Sequence, residues 1–200
     1  MDNANRIQVV VGLGNPGADY VMTRHNAGFW FVDALAQRAG GRFNSERKFH
    51  GDVARITLDG HDLRLLKPQT YMNRSGLAVQ ALAAYLKVPA QNILVVHDDI
   101  DLPAGVARLK RGGGHGGHNG LRDITRVLGQ DYPRLRLGVG RPRHSNEVID
   151  YVLKRPSRED EERIIGAVAD SLEVMPTLLG EGLEKAMHQL HSRNASDLDL

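Results

Sequence analysis

Two segments of this 200-residue sequence contain side chains that can activate a water molecule. His25 lies in Thr-Arg-His-Asn-Ala-Gly, at the start of a predicted helix, and Asp98 lies in His-Asp-Asp-Ile-Asp, after a predicted strand. A histidine can take a proton from water near neutral pH, and a carboxylate can fix its tautomer and stabilise the imidazolium. We predict that His25 is a general base acting on water and that a carboxylate such as Asp98 orients it.

Three asparagines add neutral amides that suit the same chemistry. Asn15, Asn73 and Asn119 can each donate a hydrogen bond to a carbonyl or an oxyanion without competing for the proton. The sequence has no Gly-x-Ser-x-Gly segment, so a serine nucleophile has little support. It also has no cysteine, which excludes a thiol nucleophile, disulfides and thiolate metal sites. Water is therefore the simplest nucleophile.

A glycine pattern near the N-terminus matches the dinucleotide-binding fingerprint. Gly12, Gly14 and Gly17 have the spacing of that motif, and Asp33 follows about twenty residues later. In a dinucleotide site the helix begins within the glycine turn, whereas here the seven residues 18–24 follow Gly17 before any helical pattern starts. Asp33 also falls inside the first predicted helix instead of after a second strand. The context therefore argues against a nicotinamide enzyme.

The acidic segment after the predicted strand 93–96 leaves a second chemistry open. Asp98, Asp99 and Asp101 could form a carboxylate metal cluster, as a metal-dependent nuclease or phosphohydrolase would need. The segment 112–120 has six glycines in nine residues, which indicates a backbone that closely approaches a ligand. Its two histidines are potential metal ligands, but a glycine-rich stretch would hold such a pair poorly. We expect no metal and no other cofactor.

Positive charge is concentrated in one stretch of a chain whose net charge is only +2. Residues 105–143 contain two acidic and nine basic residues, the latter being Arg108, Lys110, Arg111, Arg122, Arg126, Arg134, Arg136, Arg141 and Arg143. From residue 157 onward, ten acidic residues face four basic ones. Such a basic stripe predicts a polyanionic partner, with a solvated basic surface as the alternative. A pure RNA-binding module therefore remains open beside the enzyme.

Helices and strands that alternate along the chain must position these residues. Apolar runs predict strands at 7–13, 93–96 and 135–139, an edge strand at 106–110, and a hairpin of 53–57 and 63–66 joined by Asp59-Gly60. Helical spacing predicts helices at 29–39, 76–87 and 121–128, and a helical C-terminal third with Ser157 as its N-cap. Hydrophobic residues make up 41% of the chain, enough for a real core.

This alternation predicts an α/β fold with a twisted, mixed but mostly parallel sheet, covered by helices on both faces. No linker divides the chain, so we expect one domain over 1–200, with its core at 6–191 and a polar tail at 192–200. Three polar segments, 12–17, 67–73 and 97–101, follow predicted strands and should meet at the carboxyl edge of the sheet. The first apolar run is about seven residues, too short for a signal peptide or a membrane span, which predicts a cytoplasmic protein.

Five motifs together resemble the bacterial peptidyl-tRNA hydrolase family. They are Gly-Leu-Gly-Asn-Pro-Gly at 12–17, Thr-Arg-His-Asn-Ala-Gly at 23–28, Lys-Pro-Gln-Thr-Tyr-Met-Asn-x-Ser-Gly at 67–76, Val-His-Asp-Asp-Ile-Asp-Leu-Pro at 96–103, and the glycine segment 112–121. The similarity spans about residues 7–191. It implies a phosphorylase/hydrolase-like fold, a monomer, and metal-independent hydrolysis of the ester between a peptide and the 3′-ribose of peptidyl-tRNA.

The resemblance also implies residue roles. On the family's pattern His25 is the catalytic base, Asp98 holds it, and Asn15 helps to stabilise the reacting centre. The implied substrate contacts are Asn73 and Asn119 to the peptide backbone, Tyr20 and Tyr71 to the tRNA 3′ end, and Lys110 and Arg136 to tRNA phosphates. His115 receives no role, that of His118 stays open, and the acidic C-terminal helices are expected to flank the cleft as a lid.

Overall fold

The computed structural model describes residues 6–197, with side chains as far as residue 193. Residues 1–5 and 198–200, which the sequence assigned to the same domain and to its polar tail, lie outside the described residues. Seven strands form the sheet: β1 (Val9–Gly12), β2 (Asn44–Glu46), β3 (Gly51–Leu58), β4 (His61–Pro68), β5 (Ile93–Asp99), β6 (Ala107–Arg111) and β7 (Pro133–Gly138). Their order across the sheet is β2-β3-β4-β1-β5-β7-β6.

The four central strands, β4, β1, β5 and β7, run parallel, whereas both edges of the sheet are antiparallel. All four residues of β1 are buried, because helices cover both of its faces. At one edge β3 and β4 form the predicted hairpin, in which Asp59 and Gly60 both have positive φ, at 48° and 78°. At the other edge β6 pairs antiparallel with β7, which confirms the predicted edge strand.

Helices pack on both faces of the sheet, as the α/β pattern predicted. They are α1 (Ala27–Arg38), α2 (Ser75–Leu86), α3 (Asn119–Leu128), α4 (Val148–Val152), α5 (Arg158–Glu181) and α6 (Leu183–Asp197). On one face α1, α5 and α6 share an apolar core that includes Phe31, Leu172 and Leu190. On the other face α2 and α3 share a second core around Leu82 and Ile124. No helix within residues 6–197 is long and apolar enough to cross a membrane.

Three local differences separate the structure from the sequence expectations. The last helix continues to Asp197, so residues 192–197 of the expected polar tail belong to α6. The short elements β2 and α4 were not predicted, because three or five residues carry no measurable periodicity. The predicted cap of α5 is confirmed, since the Ser157 side chain accepts a hydrogen bond from the Asp160 amide.

Candidate active site

The carboxyl ends of β1, β4 and β5 lie side by side, because these strands are parallel neighbours. The three polar segments that follow them therefore meet at one cavity of about 700 Å³. It is lined by all nine residues that the sequence singled out: His25, Asp98, Asn15, Tyr20, Tyr71, Asn73, Asn119, Lys110 and Arg136. The predicted convergence at the sheet edge is thus present in the structure.

Glycines let the turn that carries His25 approach the strand ends closely. A Cβ on Gly28 would lie 2.4 Å from the Val96 carbonyl oxygen, and one on Gly12 would lie 2.3 Å from the Gly28 carbonyl oxygen. A Cβ on Gly14 would collide with the Phe29 ring at 2.7 Å. Both segments need glycine for backbone packing, which explains the glycine pattern without a dinucleotide. The close packing places His25, three residues before Gly28, beside the end of β5.

His25 is held by Asp98 in the orientation that a general base needs. Its Nδ1 lies 2.9 Å from each carboxylate oxygen of Asp98, which is itself 3% exposed. A carboxylate only accepts, so Nδ1 carries the proton and Nε2 is left with a lone pair. Burial lowers the pKa of His25, but the charge and hydrogen bond of Asp98 outweigh that effect and raise it above 6.5. Burial likewise opposes ionisation of Asp98, yet the adjacent imidazoles His25 and His118 hold its pKa well below the usual range.

His118 also contacts Asp98, a role that the sequence left open. Its Nε2 lies 2.9 Å from Oδ1 of Asp98. Its Nδ1 caps α3 by accepting hydrogen bonds from the amides of Gly120 at 3.1 Å and Leu121 at 3.3 Å. Nδ1 is therefore unprotonated, and Nε2 carries the hydrogen donated to Asp98. Asp98 thus accepts from two histidines, and the motif Gly-His-Asn-Gly at the start of α3 was the only signal of this in the sequence.

His97 completes a row of three imidazoles at the end of β5. Its Nδ1 donates to the backbone carbonyl of Asp98 at 2.7 Å, and its ring lies edge-on to His118 with centroids 5.3 Å apart. Burial, with the neighbouring His118 adding to the effect, lowers the pKa of His97 to about 4. His97 is therefore neutral at physiological pH. Its Nε2 is buried without a hydrogen-bond partner among the described residues.

Asn15 presents an amide donor to the cavity because its other groups are all engaged. Its side-chain oxygen accepts from the Met72 amide at 2.8 Å, which identifies the remaining side-chain atom as the NH₂ group. Its backbone forms a reciprocal pair with the Asn26 side chain, which accepts from the Asn15 amide at 2.8 Å and donates to the Asn15 carbonyl at 3.0 Å. Asn26, next to His25, therefore ties Asn15 to the turn that carries His25. Sequence reasoning did not identify that contact.

The remaining predicted substrate contacts surround this centre. Tyr71 is 64% exposed, and Asn73 follows it in the turn before α2, so both are accessible from solvent. Asn119 is the first residue of α3, directly after His118. Tyr20 lies half-buried in the turn between β1 and His25. These four side chains reach the cavity from three different segments.

Fewer side chains of the basic stripe are available to a ligand than the count of basic residues suggested, because Arg134 and Arg136 are bound within the protein. Arg134 is buried and holds the glycine segment, donating to the carbonyls of Gly113 at 2.5 Å and Gly114 at 2.6 Å. Arg136 is bound through Nε to Asp99 at 2.7 Å. Lys110 is exposed, and no acid among residues 6–193 pairs with it. Antiparallel pairing of β6 with β7 places Lys110 opposite Arg134, so like charges lie together on one face.

As far as residue 193, no side chain of α5 or α6 lines the cavity, so the expectation of an acidic lid is wrong. One wall of the cavity is instead formed by α4 and the residue after it, with the side chains of Val148, Ile149, Val152 and Leu153. Ile149 is 69% exposed, so this wall is apolar and open to solvent. The helices α5 and α6 instead pack into the core under the sheet, because their apolar faces match α1 and β6. The resemblance had suggested the lid, whereas the burial of their apolar faces shows where these helices lie.

One group of side chains in the described part of the chain has the spacing of a metal site, namely His25, Asp98 and His118. The acidic cluster proposed from the sequence is dispersed, because Asp99 pairs with Arg136 and Asp101 pairs with Arg141. A metal on His118 Nε2 would need the lone pair there, yet that atom carries the hydrogen while Nδ1 caps α3. The hydrogen-bond pattern therefore disfavours metal binding.

Known proteins are similar to this chain in sequence and in fold. A model of the peptidyl-tRNA hydrolase family matches residues 9–197. Two peptidyl-tRNA hydrolases are 54% identical to the chain: that of Halorhodospira halophila, covering 92% of this chain and 96% of its own, and that of Neisseria meningitidis serogroup A, covering 95% and 100%. The crystal structure of peptidyl-tRNA hydrolase from Acinetobacter baumannii is 43% identical, with a TM-score of 0.93 over 96% of this chain and 97% of that one. The chain belongs to the peptidyl-tRNA hydrolase family of enzymes.

Proposed function

We propose that this protein hydrolyses the ester between the peptide and the 3′-ribose of peptidyl-tRNA, with His25 as general base. The observation that carries the proposal is the contact between His25 and Asp98. It fixes the hydrogen on Nδ1 and leaves the Nε2 lone pair for a water molecule at a cavity between an apolar wall and a basic stripe. Family membership supports the substrate.

The reaction follows from these positions. His25 Nε2 takes a proton from water while the water oxygen forms a bond to the ester carbonyl carbon. The carbonyl oxygen becomes an oxyanion, to which the Nδ2 hydrogens of Asn15 are available as donors. The tetrahedral intermediate then breaks its bond to the ribose oxygen, which takes the proton from the His25 imidazolium. The products are a peptide with a free carboxylic acid, which loses its proton to solvent, and tRNA with a free 3′-terminal ribose.

We propose that the reaction needs no metal ion. The tautomer of His118 supports this, because its Nε2 has no lone pair to offer while its Nδ1 caps α3. Asp98 already accepts three short contacts from two imidazoles. Replacing these contacts by metal bonds would break the cap and release His25.

The two chemically different sides of the cavity suit the two parts of the substrate. The apolar wall of α4 suits peptide side chains, and the amides of Asn73 and Asn119 suit the peptide backbone. The exposed ring of Tyr71 suits stacking on a base of the single-stranded 3′ end, with Tyr20 beside it. Lys110 and Arg136 suit the phosphates.

All these groups come from one chain, so we propose that the protein acts as a monomer. We also propose that it acts in the cytoplasm, where tRNA is used.

The test is release of N-acetyl amino acid from N-acetylaminoacyl-tRNA by the purified protein, with tRNA recovered intact. A minimal 3′-terminal fragment that needs no magnesium for folding is assayed in parallel with 1,10-phenanthroline or EDTA. We expect both substrates to be cleaved and the fragment rate to be unaffected by either chelator. Binding of tRNA without release would show an RNA-binding module, and chelator-sensitive cleavage of phosphodiesters would show a nuclease.

A further inference from the structure

We infer that Arg24 is a positioning residue that couples the apolar wall of the cavity to the catalytic base. Arg24 precedes His25 in the chain and is 8% exposed, yet the reaction described above does not use it. A buried guanidinium is costly unless it is hydrogen-bonded, so its partners indicate its role. The inference rests on the proposed function of His25.

Arg24 binds the end of α4 with both its backbone and its side chain. Its amide donates to the Lys154 carbonyl at 3.1 Å. Its Nη1 donates to the carbonyl of Tyr151 at 2.9 Å and lies 3.3 Å from that of Lys154. The carbonyls at the end of a helix lack a partner within the helix. Arg24 supplies donors to the Lys154 carbonyl and a second donor to the Tyr151 carbonyl, which also accepts from the Lys154 amide at 3.3 Å.

Tyr151 extends this connection to the sheet. The guanidinium of Arg24 lies over the Tyr151 ring, 3.9 Å from its centroid, and the Tyr151 hydroxyl donates to the Val139 carbonyl at 2.7 Å. A planar guanidinium that stacks and hydrogen-bonds at once cannot be replaced by the single charged point of a lysine. The segment 151–155 is thereby held between the His25 turn and the end of β7.

The coupling has a direct consequence for catalysis. The apolar wall of the cavity is formed by Val148, Ile149 and Val152 of α4. Arg24 itself begins the turn 24–26, which places His25 against Asp98. A displacement of α4 therefore reaches the residue next to His25 through the side chain and the backbone amide of Arg24. Misplacement of a catalytic group by about 1 Å can cost on the order of 100-fold in rate. Arg24 thus makes the position of the base depend on the packing of the peptide-side wall.

Arg24→Gln tests this inference, with Arg38→Gln on the exposed surface of α1 as the matched control. We expect Arg24→Gln to lower kcat by at least about tenfold for a minimal 3′-terminal substrate, with KM changed less than about threefold. Arg24→Lys should recover only a small part of the loss, and millimolar guanidinium should restore activity to Arg24→Ala, with NaCl as the salt control. Arg38→Gln should behave as the unaltered protein does. A folded Arg24→Gln protein with kcat within about twofold of normal would overturn the inference.

A second measurement needs no turnover, so it separates failure of the coupling from failure of the proposed function. Hydrogen exchange should show the amides at 24–27 and at 151–155 becoming faster together in Arg24→Gln, while those of β5 stay protected. If Arg24→Gln does not fold, Tyr151→Leu removes the stacked ring and should produce the same paired change. Faster exchange confined to 151–155, with the His25 turn still protected, would overturn the coupling.

Discussion

Nε2 of His118 lies 2.9 Å from Oδ1 of Asp98, the carboxylate that also holds His25. Because Nδ1 of His118 caps α3, the geometry of the base is linked to the start of the helix that begins with Asn119. Asp98 thus receives one histidine from the His25 turn and one from the glycine segment. In the proposed reaction, the peptide contact of Asn119 and the water contact of His25 would therefore be positioned through the same carboxylate.

His118→Ala should lower kcat by about tenfold or more, because a hydrogen bond to a charged group is worth about 1.5–3 kcal/mol. Single-turnover hydrolysis of N-acetylaminoacyl-tRNA measures this. His115→Ala is the matched control, since His115 lies in the same segment and the one hydrogen bond of its side chain among the described residues is accepted from the Gly117 amide. It should retain activity to within about twofold. Equal losses in the two variants would show that the loop fold, and not the contact to Asp98, is responsible.

The pH dependence of the rate should report the contact between His25 and Asp98. His25 acts only when neutral, and Asp98 raises its pKa above 6.5 despite burial, so kcat/KM should fall as the pH drops through a value above 6.5. In Asp98→Asn the carboxylate charge is lost while the burial of His25 remains, so the pKa of His25 should fall. The acidic limb of the kcat/KM profile should therefore move to lower pH. The plateau should fall by about 100-fold or more, because the tautomer is no longer fixed. An unmoved limb in Asp98→Asn would contradict the assignment, and tRNA binding should be preserved.

His97 should make the protein less stable in mild acid. Its pKa is about 4 in the folded state, against 6.5 for the unperturbed group. Between these values the unfolded chain binds a proton that the folded protein does not, so the free energy of unfolding falls as the pH drops from 6.5 to 4. The contribution is roughly 3 kcal/mol.

His97→Asn keeps a donor near the position of Nδ1 but does not titrate. Urea unfolding at pH 7.5 and at pH 5 should show a smaller loss of stability in the variant than in the unaltered protein. Subtracting the stability change of one protein from that of the other cancels the contributions of the other titrating groups. These include His25, whose raised pKa makes its contribution opposite in sign. Parallel losses in both proteins would place the acid sensitivity elsewhere.

Lys110→Ala should weaken tRNA binding, because Lys110 is an exposed cation beside the cavity that no acid in the described chain neutralises. The slope of log K against log salt should become shallower by about one unit, as expected for the loss of one phosphate contact. Cleavage of a minimal 3′-terminal substrate should be unchanged. Lys185→Ala is the control, since Lys185 is exposed on α6 and pairs with Glu181. The same slope in both lysine variants would remove Lys110 from the tRNA path.

Sequence patterns were sufficient for the fold and for the centre of the site. Apolar runs located the buried strands, and the rule that ligands bind at the carboxyl ends of parallel strands brought Asn15, Asn73 and Asp98 to one edge. These inferences succeed because strand burial and strand direction are encoded locally. They needed no contact between distant side chains.

Long-range contacts and ion pairs could not be predicted in this way. Arg24 and Tyr151 are 127 positions apart, and α4 is too short to show helical spacing. The role of His118 depends on how the glycine segment folds back, which buried Arg134 controls from β7. A count of charges also cannot show that Arg136 is already paired with Asp99. Each of these features arises only once the sheet has been assembled.

The most direct test of the proposed role of His25 is the single-turnover rate of His25→Ala on N-acetylaminoacyl-tRNA, measured together with the affinity of the variant for tRNA. General-base catalysis by His25 predicts a rate at least about 100-fold lower in the variant, with tRNA affinity and the unfolding transition little changed. A folded His25→Ala protein that cleaves the ester at a near-normal rate would contradict it.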